Sequence, residues 1–88
     1  MKEHYSNLMY AHAIRHGFRI NSNTCDRLAV AGHNSAVAWL RLGFESAHAQ
    51  PVALQDAALR CGLSKNQSYV MDRAYDKFYV FGDDEYID

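Results

Sequence analysis

His12 and His16 stand four residues apart, the spacing at which two imidazoles on one helix face can hold a single metal ion. No neighbouring Glu, Asp or Cys completes a ligand set, and both histidines project onto the side that carries Tyr5, Leu8 and Met9. Core-edge histidines and no metal are therefore expected. Gly32-His33-Asn34-Ser35 brings an imidazole near a hydroxyl, but residues two apart point to different sides of a helix. The chain has no G-x-S-x-G elbow, no G-x-x-x-x-G-K phosphate loop and no G-x-G-x-x-G turn. Neither an enzyme nor a cofactor is expected. Cys25 and Cys61 are too far apart in sequence to suggest a zinc knuckle, and they read as small buried apolar residues.

Binding is the remaining chemistry, and aromatic and acidic residues concentrate at the C-terminal end. Tyr69, Tyr75, Phe78, Tyr79, Phe81 and Tyr86 lie close in sequence to Asp83, Asp84, Glu85 and Asp88. Tyrosine is enriched at binding hot spots, and an acidic strip can occupy the basic groove of a nucleic-acid-handling protein. Tyr79, Asp83, Asp84, Glu85 and Tyr86 are the expected contacts with such a protein partner. The net charge of −1 conceals an asymmetry: residues 1–81 hold all nine Lys/Arg and six of the ten acids, net +3, and residues 82–88 hold the other four acids, net −4. A body at +3 permits nucleic-acid binding without arguing for it.

A second surface lies further back in the chain. Pro51 suits the first turn of a helix, and Leu54, Ala57, Ala58 and Cys61 form its inward face. Gly62 can supply the left-handed stop, and Ser64-Lys65-Asn66-Gln67 matches the S-x-x-Q box that starts another helix. With Ala58, Gly62 and Ser64 at these relative positions, residues 54–64 resemble the helix-turn-helix class of DNA-binding units, a unit that with its second helix covers about a quarter of the chain. The resemblance implies a second helix that enters the major groove, with Lys65, Asn66, Tyr69, Arg73 and Lys77 approaching DNA. Two features oppose it. Ser68 stands where the motif expects an apolar residue, and Asp72 and Asp76 project onto the solvent face that would meet phosphates.

The elements that would position these residues are helical. Helical spacing runs from Lys2 to His16 and stops at Gly17; Phe18 to Asn21 reads as a connector or a very short strand. Asn21 to Thr24 are N-cap types that open a long helix. Its Leu28, Ala31, Ser35, Trp39 and Leu42 form one stripe and its Val30, Val37, Leu40 and Phe44 another, so it is expected to be central, with Gly32 inside it. The helix after Ser64 runs to about Asp76, or further if Phe78 to Phe81, in a stretch of strand composition, is not a strand pairing with Phe18 to Asn21.

The expected fold is mainly α: a compact bundle of about four helices with a helix-turn-helix-like corner at 51–81, a minor two-stranded element being left open. Residues 1–81 read as one helical domain and 82–88 as an acidic tail. With 49% hydrophobic residues the chain has the composition of a folding domain, and no run is long enough to span a membrane. It reads as a complete cytoplasmic protein. The function expected is a small regulator or inhibitor that engages a protein partner through its aromatic and acidic C-terminal surface. A helix-turn-helix transcription regulator acting as a homodimer is the alternative.

Overall fold

The computed structural model describes residues 2–43, 52–74 and 86, without the side chains of Lys2, Trp39, Val52 and Ala53. Four helices follow in order: α1 (Lys2–Arg15), α2 (Ser22–Arg41), α3 (Val52–Arg60) and α4 (Lys65–Asp72). No strand occurs among the described residues, and Phe18 to Asn21 is a connector. Its proposed partner strand, 78–81, and the start at Pro51 lie outside the described residues. No helix of the described residues is long and apolar enough to cross a membrane.

The stops and starts are local chemistry. At the end of α1 the Phe18 amide donates to the Ala13 carbonyl (3.1 Å) and the Gly17 amide to Ile14 (3.0 Å), with Gly17 at φ 89°. This is a Schellman closure, and Phe18 then packs its ring against the core. Asn21 opens α2 by accepting the Thr24 amide on its Oδ1 at 2.7 Å.

α1 packs on α2, α2 on α3 and α3 on α4, while α1 closes back on α4. Tyr5, Met9 and Ala13 from α1 meet Leu28, Ala29 and Ala36 from α2, Leu54 and Ala58 from α3, and Met71 with Ala74 at the end of α4. Burial of these side chains is the main favourable term in holding the four helices together.

α2 corrects the two-stripe expectation. It is one helix through Gly32, but it buries a single face, running through Cys25, Leu28, Ala29, Gly32, His33, Ala36 and Val37. Leu42, assigned to a stripe, is 71% exposed, and Ala31 and Ser35 are only half-buried. Across the contact between α1 and α2, the Tyr5 ring centroid lies 5.1 Å from that of His33.

Candidate nucleic-acid interface

The corner between α3 and α4 is closed by both of its expected devices. The Leu63 amide donates to the Ala58 carbonyl (3.1 Å) and the Gly62 amide to Leu59 (3.0 Å), and Gly62 sits at φ 90°. The Ser64 hydroxyl accepts the Gln67 amide at 3.1 Å, and the Gln67 side chain accepts the Ser64 amide at 3.2 Å. Both ends of the turn are thereby held by hydrogen bonds that leave few backbone groups unsatisfied. Ala58 is fully buried where the two helices meet, and Leu63 packs against the core.

Ser68 is fully buried in α4, so the position that the motif fills with an apolar side chain does point inward in this chain. The serine type opposes the motif, but a short side chain can turn inward wherever the helix face demands it. Its hydroxyl has no hydrogen-bond partner among the described residues. Ser68→Ala is expected to raise stability by about 1 kcal/mol, since it removes a buried unsatisfied hydroxyl at almost constant volume. Urea unfolding would measure this, and a loss of stability would show that the hydroxyl is satisfied after all.

Asp72 requires a second correction. One turn beyond Ser68, it is half-buried, and its Oδ1 is shut off from solvent without a hydrogen-bond partner among the described residues. It therefore lies at the edge of the core and not in the middle of the solvent face. Burial pushes its carboxyl above the ordinary carboxylate pKa, and the adjacent Arg73 guanidinium offsets only part of this. A carboxylate whose folded pKa is raised favours folding most when protonated. Its contribution is full below the ordinary carboxylate pKa and is lost as pH rises through the raised value. Asp72→Asn should accordingly raise the melting temperature at neutral pH, with the gain shrinking on acidification and disappearing below the ordinary carboxylate range. A gain independent of pH would rule out this cause.

Lys65, Asn66, Tyr69 and Arg73 are the exposed residues from Lys65 to Arg73, and none is a carboxylate; the half-buried Asp72 borders Lys65 at the edge of this face. Positions 65, 66, 69 and 73 fall within about a third of the helix circumference. The Arg73 guanidinium carbon lies 5.3 Å from the Tyr69 ring centroid, within cation–π range. At the far end of α4, the Val70 carbonyl receives His12 Nε2 of α1 at 2.8 Å and the Arg73 amide at 3.2 Å. α1 therefore braces the helix that presents this face. Lys77 and Asp76 lie outside the described residues.

Of the C-terminal partner-binding set, Tyr79, Asp83, Asp84 and Glu85 lie outside the described residues, and Tyr86 is within them. Tyr86 is half exposed, with the Arg41 guanidinium 4.4 Å from its ring centroid at the end of α2. No sequence signal linked Arg41 to Tyr86, because they are brought together only by the fold.

The histidine pair is divided. His12 is buried on Val70, whereas His16 is exposed, contrary to its expected place on the core face, although their ring centroids remain 4.6 Å apart. No group of three or more His, Cys, Asp or Glu among the described residues is arranged to hold a metal. Cys25 is buried as expected, and burial, reinforced by Asp26, pushes its thiol pKa up. Cys61 is only half-buried, because it sits in the turn that leaves α3.

Compared with known protein families, curated proteins and solved structures, the chain matches none of them.

Proposed function

We propose that this chain is a non-enzymatic DNA-binding protein of helix-turn-helix type, in which α4 enters the major groove and Lys65, Asn66, Tyr69 and Arg73 face the duplex. The observation that carries this reading is the inward placement of Ser68 together with the withdrawal of Asp72. They leave the α4 face with two cations, an amide and an aromatic ring exposed, and with its described carboxylate, Asp72, only partly open to solvent. Such a face suits DNA chemically: lysine and arginine neutralise phosphates, and asparagine can pair with an adenine edge. As a transcription regulator, the protein would act by occupying its site.

Fluorescence anisotropy with random duplex DNA tests the proposal. Binding should be measurable at low salt and fall steeply as salt rises, because each phosphate contact releases counterions. Absence of binding at low salt would refute it. That outcome would favour the second reading, a regulator or inhibitor that captures a protein partner through Tyr79, Asp83, Asp84, Glu85 and Tyr86. The placement of Tyr86 on Arg41, beside the exposed Leu42, supports this reading by setting part of the set against the helical body.

A further inference from the structure

We infer that the turn joining α1 to α2 grips the sugar–phosphate backbone beside the groove that α4 enters, through Arg15, His16 and Arg19. The inference rests on the DNA reading and adds to it a second contact surface that is blind to sequence.

α1 ends against the end of α4. His12 Nε2 lies 2.8 Å from the Val70 carbonyl oxygen, and one turn further along α1 the His16 ring centroid is 4.6 Å from that of His12. At 3.6 residues per turn, Val70 stands next to Arg73 around α4, on the flank opposite Asp72. α1 therefore meets α4 on the side that carries Arg73 and away from the described carboxylate of that helix. Arg15 and His16 are exposed. Arg19, also exposed, stands between Phe18, which packs against the core, and the buried Ile20, so its side chain is turned outward.

Charge and dimensions select the occupant. No Asp or Glu occurs in the chain between Glu3 and Asp26, and neither Arg15 nor Arg19 forms an ion pair among the described residues. Two guanidiniums that no carboxylate claims suit phosphate oxygens, which they can bind with both arms of the fork, and the His16 ring can donate a further hydrogen bond. Packed helices have axes ~8–10 Å apart, and the major groove is ~12 Å wide. A helix end packed beside one seated in the groove consequently stands over the strand that borders it.

Fluorescence anisotropy of the full chain over a salt series tests this, on random duplex DNA and on a site selected from a random pool. Arg15→Ala and Arg19→Ala should each lower the slope of log affinity against log salt by about one, and the double variant by about two. Both DNAs should lose affinity by the same factor, as phosphate contacts require, while circular dichroism stays that of the parent. The double exchange Arg15→Lys and Arg19→Lys should keep the parent slope. Arg41→Ala removes the same charge at the opposite end of α2, a helix about 30 Å long, and should leave the slope unchanged. An unaltered slope in the double alanine variant would overturn the inference, as would an equal fall in Arg41→Ala, which would make net charge the cause. If Lys65→Ala and Arg73→Ala lower the slope while the double alanine variant does not, this inference fails and the DNA reading stands. A parent chain that does not bind at low salt removes both.

Discussion

Replacing Met71 with alanine should cost about 2–5 kcal/mol, the range for truncating a fully buried long side chain. Met71 is wholly removed from solvent and joins α4 to a cluster that contains Leu54 and Ala58 of α3 together with Tyr5 and Met9 of α1. The cavity would lie where α4 is held to the rest of the molecule. A domain of this length has a total stability of roughly 4–13 kcal/mol, so the loss is a large share of it. Tyr69→Ala, two residues earlier on the same helix, should change stability by less than about 1 kcal/mol. Tyr69 is 54% exposed, and its described ring contact is the exposed stack with Arg73. Thermal and urea unfolding of the two variants measure the contrast. Equal losses would mean that α4 is not seated as described. In DNA binding the order should reverse at temperatures where both variants remain folded, because Tyr69 lies on the proposed contact face and Met71 does not.

The contrast also shows which parts of the molecule are legible in its sequence. The stops at Gly17 and Gly62, the N-cap Asn21 and the capping box of Ser64 and Gln67 were readable because a few adjacent residues make their own hydrogen bonds. The inward face of α3 was readable for a related reason: Leu54, Ala57 and Ala58 have a single consistent spacing. α2 was not. Apolar residues surround much of this helix, so periodicity alone could not choose the face, and packing against both α1 and α3 chose it. Ser68 and Asp72 counted against the motif for different reasons, one by side-chain type and the other by helical projection; the fold turns position 68 inward all the same and closes one carboxylate oxygen of position 72 off from solvent. The contact between Arg41 and Tyr86 spans half the chain and leaves no local trace.

The second large effect expected is on DNA affinity, and it separates positioning from reading along α4. On random duplex DNA, Lys65→Ala and Arg73→Ala should each weaken binding and lower the slope of log affinity against log salt by about one, the signature of one lost phosphate contact. Asn66→Ala should leave random-DNA binding almost unchanged, since an amide aimed at base edges gains nothing from an unmatched sequence. On a site selected from a random pool, Asn66→Ala should cost about 1–3 kcal/mol and relax the preference at one base pair. Tyr69→Ala should weaken binding in proportion to the loss of Arg73 alignment, because the ring that supports the guanidinium is gone. Adding Tyr69→Ala to Arg73→Ala should then have less effect than Tyr69→Ala alone, as expected of two residues that act as one unit. If the salt slope were the same in the parent, Lys65→Ala and Arg73→Ala, the phosphate contacts would lie elsewhere and α4 would not be the reading helix. Asp72→Asn provides an internal check, because the carboxylate is drawn back toward the core and its removal should change affinity less than the loss of either cation.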